Sequence, residues 1–255
     1  MNVLREKLKS KEILIGTQTF LGDKYVAGIL GAMDYDFVFM CAEHTVYGIE
    51  KISDMVKYCE ASGTPALVRL PEYDKTFTKK IIDSGVSSVL FPMIKSANEA
   101  NEAMDVCLYP PYGKRGFGPM GAVNFGVKSE KEFVDTALDG MVRMIQIEHI
   151  DAIKNLEEIV QNKYIDAYVF GPNDLASSMG HILDVYNPQV QAVIQEATYI
   201  LKQANKRFGV SLVNANEEQI QYWKSLGMTI FSLGADTAFV REGATKVYER
   251  FKSLL

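Results

Sequence analysis

Short apolar segments alternate with longer amphipathic segments eight times along the chain, and this alternation limits the possible folds more than any other feature. The apolar segments have the length of strands: Ile13–Thr17, Phe37–Ala42, Ala66–Leu70, Ser88–Pro92, Arg143–Glu148, Ala167–Phe170, Phe208–Val213 and Thr229–Leu233. The amphipathic segments predict helices at Lys24–Met33, Ile49–Ser62, Asp74–Ser84, Ser96–Leu108, Asp151–Asn162, Val190–Asn205, Glu217–Leu226 and Asp236–Phe251. This order predicts parallel strands joined by right-handed crossovers.

Eight such units are the number that closes a barrel, and 255 residues is a typical length for that fold. We therefore predict an α/β protein, a (β/α)8 TIM barrel that spans residues 1–255 as a single domain and ends in an extra C-terminal helix at 236–255. A doubly wound open sheet is the competing arrangement. It is disfavoured because no Gly-x-Gly-x-x-Gly turn follows the first strand.

The overall charge and the cysteines exclude several classes of protein. A formal net charge of −5 argues against a dedicated nucleic-acid binder, and no apolar stretch has the length of a membrane span. Cys41, Cys59 and Cys107 are odd in number and widely spaced, so they suggest neither a disulfide framework nor a Cys-x-x-Cys site. Because the N-terminus also lacks a signal-peptide core, we expect a cytoplasmic protein.

Two acidic residues stand where predicted strands end. Side chains alternate along a strand, so Met144, Gln146 and Glu148 share one face, and Asp174 follows the strand Ala167–Phe170. The chemistry of such barrels sits at the C-terminal ends of the strands. Two carboxylates there suit Mg²⁺ or Mn²⁺ and leave coordination positions for water and substrate. Zinc is disfavoured, because the three histidines have no ligand spacing.

Three further polar residues complete a possible active site. His44 follows the second strand, Arg69 lies in the third strand, and Asp83 lies in the turn before the fourth strand. Each alone has a structural explanation, and only their coincidence favours catalysis. A metal ion could polarise the carbonyl of a 2-oxo acid and stabilise its enolate. Arg69 would then stabilise the oxyanion, and His44 would transfer a proton with Asp83 raising its basicity.

The spaced motifs of the chain resemble those of a known family. They are Glu43-His44, Val68-Arg69, Tyr109-Pro110-Pro111 with Arg115-Gly116, Gln146-Ile147-Glu148 and Gly171-Pro172-Asn173-Asp174-Leu175. From about Ile15 to Phe239 the sequence is similar to the HpcH/HpaI family, whose members are metal-dependent class II pyruvate aldolases. Several motifs in the right order are far more specific than any one of them.

The resemblance implies a reaction and a role for each residue of the site. The reaction is the reversible cleavage of a 4-hydroxy-2-oxo acid into pyruvate and an aldehyde. The implied roles are metal ligation by Glu148 and Asp174, proton transfer by His44 with support from Asp83, transition-state stabilisation by Arg69, and binding of the 2-oxo acid by Arg69, Gln146, Asp174 and the backbone at Gly171 and Asn173. The metal is Mg²⁺ or Mn²⁺, with Co²⁺ as a further candidate, and no organic cofactor is implied.

The same resemblance implies an assembly. The partners are small molecules, a 2-oxo acid and an aldehyde, and neither nucleic acid nor a membrane. The family typically forms homo-oligomers, hexamers built as trimers of dimers, in which the C-terminal helix is often exchanged between subunits. Two positions depart from the pattern: Cys41 replaces an Asp that many members carry, and Asn173 stands where a small residue is common.

Other activities remain open from the sequence alone. The site could decarboxylate oxaloacetate, or the chain could be a non-catalytic homologue that binds 2-oxo acids. A Schiff-base lysine at Lys95 is disfavoured, because its neighbours predict the start of a solvated helix.

A long loop rich in Gly and Pro, residues 109–125, interrupts the regular pattern. A phosphate-binding role for Gly113 to Gly118 is disfavoured, because the Gly-Lys-Ser/Thr ending is missing. We predict a mobile cover over the site, with Lys114 or Arg115 attracting an anionic substrate. Together with Leu212 and Val213, this loop would then form part of the aldehyde pocket.

Overall fold

The computed structural model describes residues 2–255, and eight parallel strands form a closed barrel in chain order. The strands are β1 (Leu14–Thr19), β2 (Phe37–Cys41), β3 (Ala66–Arg69), β4 (Ser88–Phe91), β5 (Val142–Ile147), β6 (Ala167–Phe170), β7 (Phe208–Leu212) and β8 (Ile230–Ala235). Each pairs with the next, and β8 closes the ring by pairing with β1. All eight predicted strands are present, and the predicted (β/α)8 fold is confirmed.

The alternation of side chains along each strand fills the barrel on both sides of its wall. Phe37, Leu67 and Met144 pack with other inward-facing residues inside the barrel, whereas Ile145 and Ile147 face the surrounding helices. The ring of Phe37 occupies so much of the interior that a Cβ atom on Gly16, its neighbour across β1 and β2, would overlap it. The interior is therefore a packed core and not a channel.

The helices surround this barrel and agree with the sequence pattern at eight places. They are α1 (Val3–Ser10), α2 (Lys24–Gly31), α3 (Ile49–Ala61), α4 (Lys75–Asp83), α5 (Ala97–Asp105), α6 (Glu130–Thr136), α7 (Ile150–Lys154), α8 (Leu156–Ile159), α9 (Pro172–Ser178), α10 (Pro188–Gln203), α11 (Glu217–Ser225) and α12 (Asp236–Lys252). The helix predicted at Asp151–Asn162 is divided at Asn155, where the backbone leaves the helical region. Helices α1, α6 and α9 were not predicted.

Helix α1 closes the barrel at the N-terminal ends of the strands. Leu4 and Leu8 are buried and join the apolar cluster of the barrel interior. The Asn2 side chain caps the helix by accepting from Arg5 N. It also donates to Ser87 O and to the Ser88 hydroxyl at the start of β4. This end of the barrel is thus sealed by packing and by hydrogen bonds.

The loop between α5 and α6 lies at the same sealed end, so the prediction that it covers the active site of its own barrel is wrong. Arg115 is buried and donates to Asp83 at the end of α4, over 2.7 Å. The Lys114 ammonium pairs with Asp105 at the end of α5. Because the C-terminal ends of α4 and α5 lie at the N-terminal ends of the strands, these contacts hold the loop at the opposite face from the C-terminal strand ends.

Helix α12 touches the barrel only near its beginning. Asp236 and Ala238 are its buried residues, and every residue from Phe239 onward is exposed. The Asp236 carboxylate accepts from the backbone N–H of Phe20 and Leu21, which ties the helix to the end of β1. The remainder of α12 projects away from the barrel.

The described residues, 2–255, contain no helix that is both long and apolar enough to span a bilayer. The three cysteines, Cys41, Cys59 and Cys107, are buried and free, in agreement with the absence of a predicted disulfide framework.

Candidate active site

The C-terminal ends of four strands bring most of the predicted site residues together. Residues after β2 supply Glu43 and His44, and Arg69 is the last residue of β3. Gln146 lies in β5, with Glu148 directly after that strand. Asp174 lies in the first turn of α9, directly after β6. The order of the strands in the sequence therefore places these residues around one mouth of the barrel.

Glu148 is buried and held by two hydrogen bonds. The backbone N–H of Met93 donates to its Oε1 over 2.7 Å, and the Gln146 amide donates to its Oε2 over 2.5 Å. Burial raises the pKa of Glu148 to about 7, and the carboxylates of Glu43 and Asp174 add to this increase. The Met93 N–H and the Arg69 guanidinium act in the opposite direction. The three carboxylates thus lie within electrostatic reach of one another.

Arg69 is buried beside these acids and has partners on two sides. Its Nη2 donates to the Cys41 Sγ over 3.0 Å, and its Nε lies 3.1 Å from the Glu43 Oε2. The guanidinium also lies over the ring of Phe39, 5.3 Å from the ring centre. The ion pair with Glu43 is not aligned as a hydrogen bond, and both atoms are buried without a hydrogen-bond partner in the described structure. Arg69 is therefore held between Cys41 and Glu43 at the mouth of the barrel.

His44 lies at the open side of this cluster. Its side chain is 58% exposed, and its Nε2 lies 3.5 Å from the Glu43 Oε2. Its backbone N–H donates to the Cys41 Sγ over 3.2 Å. Burial raises the pKa of Glu43, although Arg69 and His44 oppose that shift. Glu43 is thus the carboxylate that contacts the imidazole.

Asp83, which was predicted to support His44, lies away from it within this chain. Asp83 ends α4, at the N-terminal end of β4, and its carboxylate binds Arg115. Its backbone carbonyl accepts from Gly121 and Ala122 of the long loop. A residue in a helix-to-strand turn lies at the far end of the barrel from a residue in a strand-to-helix turn. The length of β4 therefore separates Asp83 from the mouth.

The backbone of Gly171 does not offer a free donor for a substrate, contrary to the expectation from the family. Its N–H donates to Ile147 O, and its carbonyl accepts from Leu175 N. Its small size matters instead: a Cβ atom there would lie 2.5 Å from the Glu148 Oε2 and 2.8 Å from the Gln146 Nε2. Asn173 is exposed in the first turn of α9, at the rim of the mouth.

The arrangement fits a divalent cation. Glu148 and Asp174 are hard oxygen donors, and a cation between them would offset both the burial and the carboxylate repulsion that raise the pKa of Glu148. Within residues 2–255 no group of three or more His, Cys, Asp or Glu side chains is arranged to hold a metal. Mg²⁺ is commonly bound by one or two carboxylates, with water and substrate oxygens in its other positions. Two carboxylates are therefore sufficient for this kind of site.

Comparison with known proteins identifies the family. The model of the family described as "HpcH/HpaI aldolase/citrate lyase" matches residues 20–242. This chain belongs to that family. The HpcH/HpaI resemblance of the motifs is thereby confirmed, and the chain is an enzyme of the lyase class, an aldolase.

Relatives agree with this assignment, and a solved structure shares the fold. A 4-hydroxy-2-oxo-heptane-1,7-dioate aldolase of Klebsiella pneumoniae is 30% identical over 250 residues, which cover 98% of this chain and 94% of the relative. A hydroxypyruvate/pyruvate aldolase of Pseudomonas aeruginosa is 27% identical, covering 99% and 93%. The crystal structure of a family member from Burkholderia cenocepacia superposes with a TM-score of 0.91 at 23% identity, covering 99% and 100%.

Two groups of the site had no predicted role. Glu43 enters the sequence motifs only as half of the Glu-His pair, although its position directly after a predicted strand is the same signal that marks Glu148. The Met93 N–H is oriented by a backbone with a positive φ of 54°, unusual for a residue other than glycine. Because a backbone donor has no characteristic side chain, the sequence contains no signal for it.

Proposed function

We propose that this protein is a divalent-metal-dependent aldolase that reversibly cleaves a 4-hydroxy-2-oxo acid into pyruvate and an aldehyde. The observation that carries the proposal is the convergence of Glu148, Asp174 and Arg69 at the C-terminal mouth of the barrel, with His44 beside them. Acids to hold a cation, a buried guanidinium and an accessible imidazole are the groups that enolate chemistry requires.

Each residue would act on a different part of the substrate. A divalent cation bound by Glu148 and Asp174 would supply positive charge beside the carbonyl oxygen of the 2-oxo acid. Arg69, which is buried beside Glu43, would donate to the oxygen on which negative charge develops. The Gln146 amide fixes the Glu148 carboxylate, and its own buried Oε1 has no partner among the described residues.

His44 would accept the proton from the C4 hydroxyl of the substrate. As that proton leaves, the C3–C4 bond breaks, the aldehyde forms, and the bonding electrons move to the pyruvate enolate. Protonation at C3 then gives pyruvate. Glu43, at 3.5 Å from the imidazole, would stabilise the resulting imidazolium, the role that the sequence had suggested for Asp83.

The metal requirement can be tested with two variants of matched chemistry. Purified protein treated with EDTA should lose pyruvate aldolase activity and regain it with Mn²⁺ or Mg²⁺. Glu148→Gln should weaken Mn²⁺ binding by at least about 100-fold, because it removes one ligand charge. Glu157→Gln, an exposed change on α8, should bind Mn²⁺ as the wild type does. Full activity in EDTA, or undiminished Mn²⁺ binding by Glu148→Gln, would refute the proposal.

Decarboxylation of oxaloacetate is a second candidate, favoured by the difference in burial between Arg69 and Glu148 on one side of the site and His44 on the other. Arg69 and Glu148 are buried and bonded, whereas His44 is largely exposed. Decarboxylation needs Arg69 and Glu148, but it removes no hydroxyl proton. His44→Ala should therefore lower aldol cleavage by about 100-fold or more while largely retaining decarboxylation. Equal loss of both reactions would show that one proton-transfer step limits them.

We also propose that α12 is exchanged between subunits of a homo-oligomer, with a hexamer as the expected assembly. Val240, Val247 and Phe251 lie on one face of α12 and are exposed to about two-thirds. On the barrel, the outward-facing Ile15 of β1 is 48% exposed, and Ile29 on the adjacent α2 is exposed as well. An apolar helix face and an uncovered barrel flank in the same chain are complementary between two copies.

A further inference from the structure

We propose that the aldehyde binds in a cavity beyond His44, formed by the loops after β1 and β2 and the start of α4, and that this cavity selects aldehydes with an uncharged apolar tail. The inference rests on the proposed aldolase function and extends it to the class of the second substrate. The cavity has a volume of about 920 Å³ and is lined in part by His44 itself.

The position of the cavity follows from the order of the strands. In an eight-stranded ring β1 lies opposite β5, and β2 lies opposite β6. Glu148 and Asp174 follow β5 and β6, so the 2-oxo acid is held against that wall. The new carbon–carbon bond must form on the side that faces His44, after β2. The aldehyde therefore approaches from the β1–β2 side, where the cavity lies.

Tyr47 and His44 line the cavity on adjacent parts of the loop after β2. The ring of Tyr47 lines the cavity, and its hydroxyl is buried without a hydrogen-bond partner in the described structure. Burial raises the pKa of Tyr47 to about 12, while the Thr45 side chain lowers it and Cys41 raises it. His44 also lines the cavity, and its Nε2 lies 3.5 Å from the Glu43 Oε2, so the cavity and the catalytic groups adjoin.

The chemistry of the lining favours an apolar ligand. Six of its side chains are apolar or aromatic: Phe20, Leu21, Val46, Tyr47, Ile49 and Phe77. The one cationic side chain, Lys51, is next in sequence to Glu50, so the lining has no net charge when His44 is neutral. The Lys51 ammonium lies 6.0 Å from the centre of the Tyr47 ring. A carboxylated tail would lose water here without gaining a net positive partner.

The test compares two aldehydes of similar length, hexanal and succinic semialdehyde, each with pyruvate and Mn²⁺. The wild type should use hexanal with a kcat/KM at least about tenfold higher, and kcat/KM should rise along the series acetaldehyde, butanal and hexanal. Leu21→Lys should lower the ratio of hexanal to succinic semialdehyde by about tenfold, because it adds a cation to the lining. Taking the ratio within each variant cancels any change in the pyruvate half-reaction.

The matched control is Val134→Lys, which adds a lysine to α6 at the sealed end of the barrel, at a position of similar exposure (38% against 47% for Leu21). Its ratio should equal that of the wild type. A wild-type preference for succinic semialdehyde that Lys51→Met abolishes would overturn the inference, as would a flat chain-length series. Metal-dependent exchange of the pyruvate methyl protons, which needs no aldehyde, reports separately on the proposed function.

Discussion

Glu148 is poised between two ionisation states near neutral pH, and this has a measurable consequence for metal binding. Burial raises its pKa to about 7, so a proton competes with the cation for the carboxylate below that pH. Because the protonated form of Glu148 dominates as pH falls, the apparent Mn²⁺ affinity should fall by about tenfold per pH unit between 7 and 5. Titration calorimetry with Mn²⁺ at several pH values would measure this slope.

A pH-independent Mn²⁺ affinity over the same interval would contradict the raised pKa. Asp151→Asn provides the control, because that carboxylate is half-exposed on α7 and its pKa is lowered, mainly by its hydrogen bond with Lys154. Its removal should leave the slope unchanged.

Gly171 supports the catalytic carboxylate by leaving space for it. In Gly171→Ala the added methyl would meet the Glu148 Oε2 at 2.5 Å and the Gln146 Nε2 at 2.8 Å, so both side chains would have to move. We expect at least about a tenfold loss of kcat/KM with a loss of stability of only about 1–3 kcal/mol. Kinetics and urea denaturation of the same preparation separate the two effects. Gly243→Ala, where the new methyl meets no atom within 4 Å, is the matched control.

At the scale of elements, α1 contributes stability and not chemistry. Leu4 is buried at the sealed end, so Leu4→Ala should cost about 2–5 kcal/mol of unfolding free energy, while the activity of the folded fraction is retained. Lys9→Ala, an exposed change on the same helix, should cost less than about 0.5 kcal/mol. Thermal denaturation measures the difference. A large loss of kcat in folded Leu4→Ala would contradict the separation of the two ends.

The elements could be predicted from sequence where their own pattern was sufficient. All eight strands were found because buried parallel strands are short and continuously apolar, as in Phe37–Cys41. Helix α1 was missed because it has eight residues and only two buried leucines. Asp83 was misplaced for a different reason: a resemblance gives the order of motifs, but only the path of the chain gives the end of the barrel at which each motif lies.

At the scale of the whole molecule, the exposed apolar face of α12 predicts association. Phe251→Asp combined with Val240→Asp should convert the oligomer into smaller species, because two charges would be buried against the partner. Thr245→Asp, an exposed polar position on the same helix, should leave the assembly intact. Light scattering coupled to size exclusion measures the mass. A monomeric wild-type protein would refute the exchange.

The closure of the N-terminal end of the barrel by α1 has a kinetic implication. Because that end is closed, both reactants must enter at the C-terminal mouth, and in the proposed mechanism the keto acid would bind deeper than the aldehyde, beside Glu148. An aldehyde that bound first would block the access of the keto acid to this position. Synthesis should therefore follow a compulsory order, with pyruvate arriving first and, in the cleavage direction, departing last.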